Sequence, residues 1–260
     1  MLKILKYSFH DLMRSRWSYV YFFFYLLLGT VLLFLNNDLS KAVITLMNVI
    51  IILVPLIGTI FGVMYYYSSR EFTELLLAQP VKRSSIFLGQ YFGVALSLSM
   101  SLIIGLGLPF VFYGIFKSSA IWDFSLLLIT GAFLTLIFTA LAFIIALANE
   151  NKIKGFGYAI LLWLFMAVIY DGLFLLSLIF FEDYPLDKFS LIATMLNPID
   201  LSRVLILLKL DISALLGYTG AVFQKFFGTS LGLIISGGML LLWVLIPTGL
   251  IYRMVKRKDF

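Results

Sequence analysis

The chain has 260 residues, 62% of them hydrophobic and only 12% charged, with a mean hydropathy of +1.08. Soluble domains sit near half apolar and a quarter charged, so this composition excludes a water-soluble protein and marks a single-domain integral membrane protein. The net charge of +6 comes without a basic, aromatic-interleaved patch in a soluble module, which argues against nucleic acid, and the absence of cysteine removes disulfides, thiolate metal sites and a cysteine nucleophile.

Residues 1–16, MLKILKYSFHDLMRSR, place Leu2, Leu5, Phe9, Leu12 and Met13 at helical spacing against Lys3, Lys6, His10, Asp11, Arg14 and Arg16. The pattern predicts a basic amphipathic elbow helix lying in the membrane interface, held by apolar insertion and anionic lipid. A signal peptide is disfavoured, because the basic region is too long and no small-residue cleavage site follows. His10 is the only histidine, on a wet helix face.

A first span is expected over 18–35 and a second over 42–66, separated by a short polar stretch. Pro55 should kink the second span and line the path, and Gly58-x-x-x-Gly62 is a small-residue face for close helix approach. Residues 67–90, YSSREFTELLLAQPVKRSSIFLGQ, form the longest charged interruption on the expected cytoplasmic side. Ser68 with Glu71 reads as a capping box, Pro80 as a helix stop, and Ser84 or Ser85 as the cap of the next helix. The expected product over 68–83 is a short bar across the membrane face. Phe72, Leu75, Leu76 and Ala78 are available to pack, while Arg70, Glu71, Glu74, Lys82 and Arg83 face water or a partner. An ordinary re-entry loop with positive flanks is the plain reading of the same stretch.

The third apolar run, 86–116, exceeds the roughly 20 residues that cross hydrocarbon, and Gly105, Gly107 and Pro109 are expected to bend or break it. A fourth span follows over 121–147, a charged turn, a fifth over 156–181, and a sixth over 231–252 running into a basic tail. The sides holding both termini and the second and fourth loops carry 13 of the 19 Lys and Arg residues, which predicts cytoplasmic termini in a bacterial inner membrane. The segment 182–229 is then external. Asn197, Pro198 and Asp200 form a strong helix start, with Leu201, Val204, Leu205 and Leu208 as an apolar face opposite Arg203 and Lys209. A second short helix is expected over 221–227. This segment reads as a lid, a docking deck for an external partner, or a surface connector.

Intramembrane serine or metalloprotease chemistry needs histidine at membrane depth, and none is there. No phosphate-binding glycine loop is present. Among the spans only Asp171, beside Tyr170, is an acid at depth, which makes it a candidate for a transport path. A bundle with few ions and no energy source of its own is expected to be driven by a separate nucleotide hydrolase.

These residues carry a family resemblance. The chain resembles the ABC-2 type transporter permeases: all-α membrane proteins with six transmembrane helices, an N-terminal elbow helix, a coupling helix between spans two and three, and external helices before the last span. The acid–Leu-Leu–Pro–Arg pattern from Glu71 through Leu75, Leu76, Gln79 and Pro80 to Arg83 recurs in that family. More narrowly, REFTELLLAQPVKRSSIFLGQYFG, LNPIDLSRVL and WVLIPTGLIYRMVKRKD are similar to the permease of the copper-processing system serving nitrous oxide reductase maturation. The resemblance implies no enzymatic activity and no cofactor bound by this chain, with ATP and magnesium held by a partner. It implies that Arg70, Glu71, Glu74, Leu75, Gln79, Pro80, Val81, Lys82 and Arg83 contact a cytoplasmic ABC ATPase dimer. It also implies that a second copy pairs around a central path, and that Asn197, Pro198, Asp200, Arg203 and Leu208 face a periplasmic β-helical accessory protein. Export of a drug, lipid or polysaccharide, or a membrane scaffold without transport, are the other functions compatible with the residues. A vitamin-uptake subunit is disfavoured by the charged bar.

Overall fold

The computed structural model describes residues 1–36, 38–181, 186–209 and 230–258, and all regular structure among them is helical. In chain order the helices are α1 (Leu2–Met13), α2 (Arg16–Leu35), α3 (Leu39–Ser68), α4 (Arg70–Leu77), α5 (Arg83–Phe112) and α6 (Ile121–Ala148). They continue with α7 (Lys152–Leu164), α8 (Tyr170–Phe180), α9 (Asp187–Leu196), α10 (Pro198–Lys209) and α11 (Ser230–Arg257). A π turn, Phe165–Ile169, joins α7 to α8, so that Lys152–Phe180 is one span. Six units are long and apolar enough to cross a membrane: α2, α3, α5, α6, α7–α8 and α11. The chain is an all-α, multi-span membrane protein.

Small residues set the helix contacts, because lipid supplies no hydrophobic drive and close backbone approach must replace it. A methyl on Gly62 would meet Ala142 Cβ at 2.8 Å, and one on Gly58 would touch Thr139, so this glycine pair seats α3 on α6. Gly93 and Gly89 of α5 lie against Ser8 and Ile4 of α1. Gly105 of α5 receives Tyr25 of α2, and Pro109 packs on Gly29.

These contacts correct two expectations. The buried face of α1 is Ile4, Ser8 and Leu12, while Leu2 is exposed; the elbow is docked on α5 rather than merely inserted in the interface. The third run is not broken at Gly105 or Gly107. Here α5 continues to Phe112, and Gly114, at φ +90°, ends the turn after it in a conformation that suits glycine. Pro55 lies buried inside an uninterrupted α3, with its carbonyl accepting from the Thr59 hydroxyl at 2.8 Å.

The larger correction concerns the segment before the last span. α9 and α10 meet at a bend of 115°. α10 does not lie on the surface. Ile199, Leu201, Ser202, Val204, Leu205, Ile206 and Leu207 are all buried, and the helix packs on α3, α6 and α11. Arg203 is the one partly exposed residue among the described side chains of this helix, so α10 sits in the interior of the bundle. The second helix expected over 221–227 and the Leu208 side chain lie outside the described residues.

Candidate functional site

Two regions hold the residues singled out by sequence. The first is the crossbar α4, separated from α3 by Ser69 alone. The capping box is not formed. Ser68 is the last residue of α3, and the Ser68 and Ser69 hydroxyls donate back to the Tyr65 and Tyr66 carbonyls. Nor do Ser84 and Ser85 cap α5, which begins at Arg83 after Lys82. The helix itself ends at Leu77, three residues before Pro80.

The crossbar is anchored through Thr73, its buried residue. The fully buried Gln90 side chain of α5 donates to the Thr73 hydroxyl at 2.7 Å. Phe72 stacks on Tyr7 of α1 with ring centroids 4.5 Å apart. Leu76, Leu77 and Val81 pack against the core. The outward face is Arg70, Glu71, Glu74, Leu75, Ala78, Gln79 and Pro80, all exposed, with Lys82 and Arg83 exposed beyond it. Leu75 and Ala78 were expected to pack; they point outward instead, and Leu75 is 67% exposed. Arg70 pairs with Glu74 at 3.0 Å one turn away, an exposed pair that contributes little.

Beside the crossbar, the loop after α6 and the end of α11 converge. The Tyr67 phenol donates to the Asn149 carbonyl at 2.7 Å, Lys258 Nζ to the Leu147 carbonyl at 2.6 Å, and Arg83 Nη1 to the Lys258 carbonyl at 3.0 Å. Between them lies a cavity of about 470 Å³ walled by Tyr66, Tyr67, Glu74, Asn149, Glu150 and Lys258. Both ends of the described chain therefore meet the crossbar at the same end of the bundle.

The second region surrounds Asp171. Arg203 Nη1 donates to Asp171 Oδ2 at 2.7 Å, and the same nitrogen lies 3.3 Å from Asp200 Oδ1. Asn197 caps α10 by accepting from the Ile199 amide at 3.1 Å, while its amide donates to Asp200 Oδ2 at 2.9 Å and to the Met166 carbonyl inside the π turn at 2.8 Å. A helix leaves its last four carbonyls without internal partners. At the end of α9 two of these are taken: the Tyr170 phenol donates to the Ala193 carbonyl at 2.7 Å and Trp243 Nε1 to the Met195 carbonyl at 3.1 Å. The bent pair is thus tied to α8, the π turn and α11.

Asp171 and Tyr170, chosen from sequence as path residues, come together with Asn197, Asp200 and Arg203, chosen there as partner contacts. Asn197, Pro198 and Asp200 are buried inside the chain rather than turned outward, and Arg203 is half-buried in its ion pair. Sequence reasoning missed Trp243, Met166 and the π turn, since no residue pattern announces an extra carbonyl in a helix. Among the described residues no group of three or more His, Cys, Asp or Glu side chains is placed to hold a metal ion.

No protein-family model matches the chain. It is similar to a probable ABC transporter permease protein NosY of Stutzerimonas stutzeri, 26% identical over 136 residues, covering 50% of this chain and 49% of that one. A probable NosY permease of Pseudomonas aeruginosa is likewise 26% identical, over 149 residues, covering 54% of this chain and 53% of the other. The chain thus spans about half the length of the curated relatives it matches, and over that stretch its sequence is similar to ABC transporter permeases of the NosY type.

Proposed function

We propose that this protein is the membrane-spanning permease subunit of an ATP-binding cassette transporter in the bacterial inner membrane. The observation that carries the reading is the rigid crossbar. Its outward face is charged, and its inward face is fastened to three helices at once: α3 by continuity, α5 through Gln90–Thr73, and α1 through Tyr7–Phe72. A cytoplasmic ATPase dimer pressing on Arg70, Glu71, Glu74, Leu75, Gln79, Pro80 and the adjoining Val81, Lys82 and Arg83 would move α3 and α5 together. α6 and α2 would follow, since Gly62 and Gly105 hold them at close range. ATP and magnesium belong to the ATPase, and this chain carries no catalysis.

A second copy pairs across the α7–α8 span, which is 11% buried within the chain against 56% for α5 and for α6. An ion pair of which each side chain is 29% exposed, about 14 Å of helix from the end of α8, is costly against lipid and belongs beside water or protein. This supports Asp171 and Tyr170 as path residues. The process we assign, from the similarity to NosY permeases, is maturation of the copper site of nitrous oxide reductase, with a periplasmic β-helical accessory protein at the outer end. Burial of Asn197, Pro198 and Asp200 leaves that accessory protein other surfaces than α10.

The test is purification of the full chain from its own membrane. A stoichiometric nucleotide hydrolase that is lost on Glu74→Arg supports the reading. A bundle recovered without any such subunit overturns it.

A further inference from the structure

The cavity beside the crossbar draws its walls from five parts of the chain: the end of α3, the crossbar with its exit, the start of α5, the loop after α6 and the end of α11. Three hydrogen bonds pin those walls. Tyr67 holds the Asn149 carbonyl, Lys258 Nζ the Leu147 carbonyl, and Gln90 the Thr73 hydroxyl. A space of about 470 Å³ fixed in this way is preorganised, so a group that enters it needs little rearrangement of the walls.

Depth and mouth differ in chemistry. At depth lie Phe87, 1% exposed, with Tyr66 stacked on it at 6.2 Å between ring centroids, and Leu77 packed against the core. At the mouth stand Arg70, Glu74, Glu150 and Lys258, two formal charges of each sign. Arg70 and Glu74 are already paired, and Lys258 and Glu150 add one of each. The mouth is therefore formally neutral, and neither an anion nor a cation gains from it on balance. An apolar group gains by leaving water for the rings behind it.

The position of the mouth identifies the source of that group. Arg70, Glu74 and Ala78 belong both to the mouth and to the exposed face of the crossbar, so a protein surface lying on that face covers the mouth as well. An apolar centre ringed by polar and charged groups is the anatomy of a protein–protein hot spot. A lipid tail entering the same way would bring its phosphate to a mouth holding two carboxylates, with Arg70 already engaged.

We infer that this cavity is a socket for an apolar anchor, an aromatic or branched aliphatic side chain at the tip of a helix or loop of the cytoplasmic nucleotide hydrolase. Seated there, the anchor touches the crossbar, the loop after α6 and the end of α11 at once. The hydrolase then grips α6 and α11 directly, in addition to α3 and α5 through the crossbar. The inference rests on the permease reading given above and adds to it the chemistry of the partner's contact.

The test uses the full chain with its hydrolase, purified together from the native membrane. Ala78, exposed at the mouth, is replaced by Trp to occupy the socket and by Ser as the matched control. Ala78→Trp is expected to weaken hydrolase binding roughly tenfold or more, as loss of a hot-spot contact does, with thermal unfolding of the chain unchanged. Ala78→Ser should bind as the parent does. Benzoylphenylalanine in place of Tyr66 sets a photoreactive ring inside the cavity, and its crosslink is expected on an apolar side chain of the hydrolase. Binding that survives Ala78→Trp, or a crosslink to lipid alone, overturns the socket. If Glu71→Arg, on the exposed face of the crossbar but outside the cavity, still removes the hydrolase in that case, the permease reading stands without the socket. A parent chain that binds no hydrolase overturns both.

Discussion

Gln90, wholly enclosed in α5, reaches 2.7 Å across to the Thr73 hydroxyl of the crossbar, and its own carbonyl oxygen has no hydrogen-bond partner. The two partners are therefore unequal. Thr73 keeps a second bond, donating to the Ser69 carbonyl at 2.8 Å, whereas the Gln90 amide has only Thr73. Thr73→Val should leave a buried amide unpaired at both ends and cost about 1–3 kcal/mol. Gln90→Leu removes the polar group altogether and should cost less. Thermal unfolding in detergent would rank them, and a larger loss for Gln90→Leu would contradict the asymmetry.

Both of those variants should also weaken force transfer, but a surface variant separates coupling from stability. Glu74 is exposed and paired only with Arg70. Glu74→Arg should leave unfolding within about 0.5 kcal/mol of the parent, while stimulation of the bound ATPase falls several-fold. Pro80→Leu, in the exposed exit from α4, should act in the same direction. Unchanged hydrolysis in both would mean that the partner does not grip this bar.

The elbow helix gives a steric prediction. A methyl at Gly93 would approach Ser8 Cβ to 2.6 Å and the Leu5 carbonyl to 3.0 Å, both on α1. Backbone cannot yield as a flexible side chain can, so Gly93→Val should lift α1 from α5 at a cost of about 1–3 kcal/mol or more. Limited proteolysis would then cut within residues 1–16 sooner. Gly107→Ala, which meets nothing within 4 Å, is the matched control and should leave the digestion pattern unchanged.

Much of this fold could be read from the chain because membrane thickness and backbone satisfaction leave few choices. The sequence has six apolar runs and the structure six helices long and apolar enough to cross a membrane, and the Gly58–Gly62 face seats a neighbour. What escaped the reading were features decided by tertiary contact. Gly105 and Pro109 looked like a break in α5 and instead make room for α2. Leu201, Val204 and Leu205 looked like one face of a surface helix. The intervening Ser202 and the following Ile206 are also buried, because α3, α6 and α11 surround the helix. Asp171 could be flagged as an acid at depth, but its partner, Arg203, had been placed on the wet face of a different element. The ion pair requires the 115° bend, which a periodicity cannot show.

That bend has its own energetic test. Tyr170 and Trp243 donate to carbonyls two residues apart in the last turn of α9, from opposite neighbours, α8 and α11. Tyr170→Phe and Trp243→Phe keep most of the ring volume and remove the donor, so each should cost about 1–3 kcal/mol for the carbonyl left unpaired. Because one turn holds both carbonyls, the losses should not add. Once the first bond is gone the turn can fray, and the second carbonyl finds other partners at smaller cost. The double variant should therefore unfold closer to the weaker single variant than to the sum. Full additivity would mean that the last turn of α9 stays intact when either clamp is lost, so that the two carbonyls act independently.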